Sequence, residues 1–434
     1  MADTISIFWF RRDLRLQDNA GLYHALRSGH RVVPVFIFDT NILDDLKEKK
    51  DKRVAFIHDT LVEIQDKLKK HHSSLHVLHG EPLQCFKQLL EHYHIHAVYT
   101  NNDYEPYAIK RDEQIRKLLQ QHNISFHSYK DQVIFEREEV LKDDKTPYTI
   151  YTPYSKRWKS LLNNFYLKSY PTEKYLSNLY KQDPRRTPSL ESMGFEKVKY
   201  DIVPAELNHI TAKNYDKERD YPAMDGTTRL GIHLRFGTVS IRQIASEAKR
   251  LNEKLLDELI WREFYQQVLW HFPNVVTHSF RKEFDNIRWR NNEKEFQLWC
   301  SGQTGFPIVD AGMRELNETG YMPNRVRMIV ASFLIKDLLI DWRWGEAYFA
   351  EKLLDYDLAS NNGNWQWVAG TGCDAAPYFR VFNPTLQTEK FDPKHEYIKR
   401  WVPENDTVSY PAQIVEHNEA KKRCIDAYNK AVKR

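Results

Sequence analysis

The sequence predicts an α/β domain followed by an all-helical domain, with a long connector between them. Over the first 130 residues, strand-like and helix-like stretches alternate, whereas from about residue 206 the apolar residues recur with helical spacing. The tryptophans divide in the same way, because only Trp9 and Trp158 precede residue 260 and the other nine lie between Trp261 and Trp401. A length of 434 residues fits two or three domains.

Residues 1–130 predict a doubly wound, Rossmann-like domain around a parallel sheet. Short apolar or β-branched runs lie at 5–10, 31–38, 75–78, 97–100 and 124–129, and amphipathic stretches lie between them at 19–28, 53–70, 83–93 and 105–121. Right-handed crossovers place the loops at 11–16 and 101–107 on one rim, where ligands tend to bind. Neither GxGxxG nor GxxxxGK[ST] is present, so no ordinary dinucleotide site or P-loop is indicated.

The remaining chain predicts a connector and a helical domain. Residues 131–205 contain six prolines among charged and Tyr-rich segments, which is typical of a connector that crosses the surface with short helices. Residues 206–434 predict helices, the clearest of them at 254–270, 308–319, 324–342 and 411–431.

Composition excludes several classes of protein. Apolar residues make up 41% and charged residues 29%, and the net charge is only +4, so wholesale disorder is excluded. No apolar run approaches the roughly 18–20 residues that cross a bilayer, and the first residues lack a signal core. The four cysteines lie far apart without CxxC, which indicates neither disulfides nor a zinc site. We therefore expect a soluble, cytoplasmic protein.

A group of histidines at 92, 94 and 96 raises the question of a metal site. No acidic or cysteine partner accompanies them, so we expect a solvated helix end and no metal.

Two segments of the helical domain have compositions that suit ligand binding. The run Thr227, Thr228, Arg229, Leu230 and Gly231 suits a phosphate at a helix start, although an ordinary N-cap explains it as well. The run from Tyr356 to Trp367 packs three Asn, a Gly and two Trp together, which suits a planar heterocycle with mixed hydrogen-bonding edges. A polar loop capped by buried Trp is the alternative.

Cations and aromatics are interleaved in the C-terminal half. This pattern is typical of surfaces that hold phosphates and stack bases, and a solvated charged face is the alternative. The cations are Arg325, Arg327, Arg380, Lys390, Lys394, Lys399 and Arg400.

Long motifs reveal a family resemblance. They include IFWFRRDLRLQDNAGL, TPYTIYTPYSKRW, GTTRLGIHLRFGTVS, ELIWREFY, PNRVRMIVASFLIKDLLIDW and DYDLASNNGNWQWVAGTGCDAAPYFRVFNP. In this order they resemble the photolyase/cryptochrome family, most closely its bacterial-type (class I) members that repair cyclobutane pyrimidine dimers. The resemblance implies an α/β domain and a helical domain that binds FAD and UV-damaged DNA.

The resemblance also implies roles for individual residues. The expected FAD-binding residues are Tyr215, Thr227, Thr228, Arg229, Leu230, Gly231, Arg327, Asp355, Tyr356, Asp357 and Asn361. Gly231 stands where many members have Ser. The expected DNA-binding residues are Glu258, Trp261, Arg262, Tyr265, Asn324, Arg325, Met328, Trp367 and Arg380. Catalysis is expected to involve Glu258 and Asn361, and photoreduction a chain of Trp365, Trp342 and Trp289.

Two positions separate the activities within the family. Repairing members carry Asn where Asn361 stands and plant-type cryptochromes carry Asp, whereas members that repair (6-4) photoproducts carry His where Asn324 stands. Both positions favour cyclobutane-dimer repair, and a signalling cryptochrome is the alternative. Tyr107 and Ala108 replace the Asn-Glu pair of folate-binding members, which favours a deazaflavin or flavin antenna. We expect a monomer without an obligate protein partner.

Overall fold

The computed structural model describes residues 4–433 and contains a five-stranded sheet near its N-terminus. The strands are β1 (Thr4–Phe10), β2 (Arg31–Asp39), β3 (His76–Gly80), β4 (His94–Asn101) and β5 (Ser125–Tyr129). They lie in the order β3-β2-β1-β4-β5, and each neighbouring pair is parallel. The parallel doubly wound sheet is confirmed.

Alternation along β1 explains why helices cover both faces of the sheet. Phe8 and Phe10 pack into one buried cluster, whereas Ile7 and Trp9 pack into another. Because successive side chains of a strand point to opposite faces, these two clusters are the two sides of one sheet. The helices of this region are α1 (Ala20–Leu26), α2 (Thr40–Leu43), α3 (Lys52–Lys69), α4 (Pro82–His92) and α5 (Pro106–Gln121).

From residue 206 onward the regular secondary structure of the described chain is helical, as predicted, and helices also occur between β5 and that point. The α-helices after β5 are α6 (Tyr151–Leu161), α7 (His209–Glu218), α8 (Gly231–Phe236), α9 (Ile241–Leu251), α10 (Glu253–His271), α11 (Glu293–Ser301), α12 (Pro307–Thr319), α13 (Asn324–Ser332), α14 (Trp342–Lys352), α15 (Leu358–Ala369), α16 (Pro384–Phe391), α17 (Glu396–Trp401) and α18 (His417–Val432). Short 3-10 helices lie at Thr172–Asn178, Glu191–Met193, Pro273–Val276 and Lys282–Asn286.

Two predicted helices have different bounds. The helix expected over 324–342 divides, because α13 passes into a π-helical turn at Phe333–Asp337, Leu339 adopts φ +52°, and Asp341 caps α14. The helix expected from 411 begins at His417, where the Glu416 carboxylate accepts from the next backbone N–H groups.

The chain forms two compact units, each built from separate segments. The first contains the described residues up to Glu136 together with Leu161–Glu206 and Leu230–Glu247. The second contains Arg137–Ser160, Leu207–Arg229 and the described residues from Ala248 onward. The segments thus cross the boundaries at 130 and 205 that the sequence predicts.

The predicted connector is not confined to the surface. Tyr154 and Trp158 of α6 are both 1% exposed, and the Trp158 indole N–H donates to the Glu263 carboxylate within the second unit. The expectation of a surface connector is therefore wrong for α6, because its aromatic side chains form part of a core.

The histidines are arranged differently from the prediction. His92 ends α4, but His94 and His96 lie on β4, and the His96 ring stacks on His30 at 4.0 Å. The expectation of one helix end is wrong for these two, because the chain turns directly from α4 into β4. In residues 4–433, no three His, Cys, Asp or Glu side chains are placed to hold a metal ion. Within the same range, no helix is both long and apolar enough to span a membrane.

Candidate functional site

A cavity of about 610 Å³ opens in the second unit. Its wall is formed by residues around α7, from α10, α13 and α15, and from the segment before α15. The volume lies in the range of roughly 300–1,000 Å³ that is usual for small-molecule and cofactor sites. The predicted site residues in its wall are Glu258, Trp261, Arg262, Tyr265, Asn324, Arg325, Arg327, Met328, Asp355, Tyr356, Asp357, Asn361, Trp365 and Trp367.

Helix α15 presents an amide to this cavity. The Asp357 carboxylate accepts from the Ser360 backbone N–H and so caps the helix, which fixes the following turn. Asn361 is 8% exposed, and its Nδ2 donates to the Glu346 carboxylate at 2.9 Å and to the Glu346 backbone oxygen at 3.1 Å. Burial raises the pKa of Glu346, and the bond from Asn361 partly offsets that rise. These two hydrogen bonds to Glu346 therefore fix the orientation of the Asn361 amide.

An ion pair lines the same cavity. Arg327 Nη2 donates to both carboxylate oxygens of Asp355 at 3.1 and 2.9 Å, and its Nε donates to the Met322 backbone oxygen at 2.7 Å. Burial opposes the charge of Arg327, but the nearby Asp355 carboxylate raises its pKa overall. The predicted pairing of Arg327 with a carboxylate is thus present.

A planar platform forms another part of the wall. The rings of Trp261 and Tyr151 stack with centroids 3.7 Å apart and an angle of 4°. Tyr151 is held at both ends, because its backbone N–H donates to Asp374 at 2.8 Å and its hydroxyl donates to the Asp257 backbone oxygen at 2.9 Å. Trp261 therefore has one face fixed by an aromatic ring while it lines the cavity.

Small residues allow the aromatic side chains to pack closely. A Cβ added at Gly363 would lie 2.1 Å from the Tyr265 ring, and one added at Gly345 would lie 2.1 Å from the Trp365 ring. Only glycine fits at these two positions, since no such approach is tolerated by real Cβ atoms.

A chain of alternating charges lies in the cavity wall. The carboxylate of Glu258 is paired with Arg219 and lies 3.5 Å from Lys254 Nζ. Asp220 lies 3.9 Å from Arg219 and 3.2 Å from Arg325. Sequence reasoning missed Arg219, Asp220 and Lys254, because isolated charges without a motif usually belong to a solvated face. The adjacent Arg-Asp after α7 is the one signal that could have indicated them.

The three tryptophans of the predicted chain have different surroundings. Trp365 is 2% exposed and contacts Phe349 and Trp299, with ring centroids at 5.0 and 6.3 Å. Trp342 is 1% exposed with the Arg343 guanidinium 4.7 Å above its ring, and half-buried Trp289 contacts Tyr428 at 6.0 Å. Their shared role in electron transfer stays a prediction.

Some predicted cofactor-binding residues lie elsewhere. The Tyr215 ring is covered by the Arg219 guanidinium at 5.2 Å. The Thr227 hydroxyl shares a 2.6 Å hydrogen bond with Tyr321, and Arg229, at φ +49°, lies 4.9 Å above the Tyr321 ring.

The other predicted cofactor- and DNA-binding residues have the following positions. Thr228 lies between Thr227 and Arg229, and Leu230 is buried just before Gly231, the first residue of α8. Arg380 lies 5.4 Å from the Phe382 ring. The described cavity wall does not include Tyr215, Thr227, Thr228, Arg229 or Arg380, and their roles stay predictions.

Comparisons with known proteins agree with this architecture. Residues 6–174 match the family described as DNA photolyase, and residues 255–409 match the FAD binding domain of DNA photolyase. A deoxyribodipyrimidine photo-lyase of Synechococcus is 37% identical, with 98% of this chain and 96% of that protein covered. The same-named protein of Escherichia coli is 35% identical, with 99% of each covered.

Solved structures show the same relationship. A bacterial class III photolyase from Agrobacterium tumefaciens superimposes with a TM-score of 0.89 at 32% identity, covering 100% of this chain and 99% of that chain. An archaeal photolyase from Sulfolobus tokodaii with two FAD molecules gives 0.84 at 37% identity, covering 98% and 100%.

The fold and the cavity thus define a flavoprotein-type architecture of an α/β unit and a helical unit. The chain belongs to the photolyase/cryptochrome family. Its cavity fits FAD in volume and in chemistry, because an oriented amide and a partly buried Arg–Asp pair suit the polar edge of a heterocycle.

Proposed function

We propose that this protein is a deoxyribodipyrimidine photo-lyase that repairs cyclobutane pyrimidine dimers in DNA with light. The proposal depends on one observation. The amide and ion pair that suit a flavin line the same cavity as the aromatic and polar side chains that suit a pair of pyrimidines. A flipped-out lesion and the cofactor would thus share one cavity, and the transfer of an electron between them requires such closeness.

The cofactor supplies the redox chemistry. Fully reduced FAD, when bound and excited by blue light, supplies one electron that opens the cyclobutane ring and is then returned. The residues that would hold it are Asn361, Arg327, Asp355, Tyr356, Asp357 and Trp365, all of which line the cavity.

The protein positions the lesion. A dimer of adjacent pyrimidines is already poorly stacked, so extruding it costs less than extruding an intact base pair. Trp261 and Trp367 would receive its faces and Met328 would fill the gap between them. Asn324 and Glu258 are the polar groups available for the base edges, and Arg325 is available for a backbone phosphate.

Asn324 supports dimer repair over repair of (6-4) products. Its amide can form hydrogen bonds with a base edge but cannot deliver a proton as an imidazolium does. Repair of a (6-4) product must move a hydroxyl between bases and needs such a proton, whereas splitting a cyclobutane ring does not. We infer that the (6-4) product is not a substrate.

The first unit is proposed to bind an antenna chromophore, a flavin or deazaflavin in preference to a folate. The Sulfolobus tokodaii relative contains two FAD molecules, and its structure supports this choice. Here the Tyr107 hydroxyl donates to Asp39 at 2.6 Å and Asn41 Nδ2 donates to Tyr107 at 3.2 Å, at the carboxyl end of β2. Mass spectrometry of the chromophores released from purified protein tests the choice, and a folate would contradict it.

Repair itself is tested with purified protein and an irradiated oligothymidine. We expect blue light to restore the absorbance near 260 nm in the presence of the protein and not in the dark. Failure to do so with FAD bound and reduced would favour the signalling alternative. The monomeric state, tested by light scattering, and a cytoplasmic location remain part of the proposal.

A further inference from the structure

Asp220 belongs to the alternating charges of the cavity wall and has no role in the proposed repair. Asp220 directly follows Arg219 after α7, and its side chain is 38% exposed. Its oxygens lie 3.2 Å from Arg325 Nη2 and 3.9 Å from Arg219 Nε. One carboxylate thus lies against two cations of the cavity wall.

Arg325 has hydrogen-bonding capacity that its contact with Asp220 does not use. Its guanidinium carbon lies 4.1 Å from the centre of the Phe391 ring, which fixes the plane of the group. Its Nε is buried and has no hydrogen-bond partner among the described residues. A guanidinium can bind a phosphate through two parallel N–H groups, so the single contact with Asp220 leaves part of its capacity unused.

Arg219 links this contact to Glu258. Its guanidinium pairs with the Glu258 carboxylate, and the nearby acidic groups raise the pKa of Arg219 against the lowering effect of burial. A DNA phosphate that binds the Arg219 guanidinium therefore competes with the carboxylates of both Asp220 and Glu258.

We propose that Asp220 occupies, in the DNA-free protein, the place of a backbone phosphate on Arg325 and Arg219, and that a bound DNA strand displaces it. This inference rests on the proposed function, since it assumes DNA as the ligand of the cavity. The exchange makes Asp220 an autoinhibitory group: it weakens DNA binding and keeps the two arginines in place until a phosphodiester arrives. Displacement of Asp220 by DNA also weakens the pairing of Arg219 with Glu258 when the lesion enters the cavity.

The test is Asp220→Asn in the FAD-loaded protein. Binding of a fluorescein-labelled duplex with one cyclobutane dimer is measured in the dark by anisotropy. Loss of the competing charge should lower Kd about threefold to fivefold, the equivalent of up to about 1 kcal/mol for a partly exposed ion pair. The gain should shrink at high salt, because the charges involved are partly exposed.

Asp216→Asn is the matched control. Asp216 lines the same cavity four residues earlier, but its carboxylate accepts from Asn252 Nδ2 at 2.7 Å. This variant removes one negative charge but leaves the contacts of Asp220 with Arg325 and Arg219 unchanged. Its Kd for the duplex should therefore stay within about 1.5-fold of wild type. An equal gain in both variants would show a general field effect and overturn the proposal.

A double-mutant cycle excludes a merely structural effect. Arg325→Gln should weaken binding, and Asp220→Asn should add at most about 1.5-fold in that background, because the nearer of the two cations that Asp220 blocks is gone. An undiminished gain, or no gain from Asp220→Asn alone, would contradict the exchange. Repair per absorbed photon at saturating enzyme should be the same for wild type and Asp220→Asn, since the bound DNA has already displaced Asp220 from both arginines in the wild-type complex.

The same experiment separates this inference from the proposed function. Kd is read in the dark, so a wild-type protein that binds the duplex and never repairs it would refute repair while the Kd values still decide the exchange. A wild-type protein that does not bind the duplex would refute both.

Discussion

Tyr151 should control the binding of damaged DNA although it is absent from the described cavity wall. Its ring stacks on Trp261 at 3.7 Å, and aromatic pairs contribute about 0.5–1.5 kcal/mol beyond their buried area. Tyr151→Ala frees the indole to adopt other rotamers, and ordering it again on binding costs a similar amount. We expect the Kd for a dimer-containing duplex to rise by roughly twofold to twelvefold.

Tyr151→Phe is the conservative control. It keeps the stack and removes the hydroxyl, whose hydrogen bond to the Asp257 backbone oxygen contributes about 1 kcal/mol to stability. Unfolding by urea should therefore show a loss of stability in Tyr151→Phe, while its Kd stays close to wild type. Tyr148→Ala removes an aromatic side chain of the same segment that contacts Tyr154, and it should leave Kd unchanged.

Two results would show that Tyr151 does not act by supporting the Trp261 ring. The first is an equal rise of Kd in Tyr151→Phe and Tyr151→Ala, which would make the hydroxyl the important group. The second comes from the Trp261→Ala background, where Tyr151→Ala should have no further effect on Kd. A full additional loss there would mean that Tyr151 does not act through Trp261.

Three further variants test the cofactor site and the stability of the helical unit. Trp342→Phe should nearly abolish photoreduction of oxidised flavin and leave repair by chemically reduced enzyme close to normal, and equal loss of both would make Trp342 only a packing residue. Asn361→Asp should change the visible spectrum of the flavin that persists in air, because the amide held by Glu346 is replaced by an ionisable group; an unchanged spectrum would remove Asn361 from the cofactor's surroundings. Burial raises the pKa of Glu315 to about 7, with Tyr397 as its hydrogen-bond donor. Because the folded protein holds the Glu315 proton more tightly than the unfolded chain, the stabilisation by protonated Glu315 is fully present below about pH 4.5. It is lost as the pH rises through 7. Glu315→Gln should become more stable relative to wild type over that window, measured by urea unfolding at pH 4.5 and 7.5, and a constant difference would contradict this.

The sequence allowed the α/β unit to be predicted because its signal is local. In β1, the alternation of Phe8 and Phe10 with Ile7 and Trp9 already indicates two buried faces. The break between α13 and α14 was not predictable in this way, since an unbroken apolar pattern runs through 324–342. It depends on a left-handed Leu339 and on a cap by Asp341, and neither changes the periodicity.

Site residues that belong to long motifs were predicted. Site residues that are recognised only by a contact between distant parts of the chain were missed. Asn361, Trp261 and Arg327 were expected and do line the cavity. Tyr151 was overlooked because the proline-rich stretch around it indicates a connector, and stacking across about 110 residues of chain leaves no periodic pattern. The pairing of Arg219 with Glu258 was overlooked for the same reason, since it joins two helices whose relative placement only the folded chain reveals.

The choice between two lesions decides whether this protein is a cyclobutane-dimer photolyase. Purified, reduced protein is illuminated with blue light in the presence of two oligonucleotides, one carrying a defined cyclobutane dimer and the other a defined (6-4) product, and both are followed by chromatography. We expect light-dependent conversion of the cyclobutane dimer to two intact pyrimidines and no change in the (6-4) product, because the Asn324 amide cannot deliver a proton. Conversion of the (6-4) product without that of the dimer would contradict this expectation.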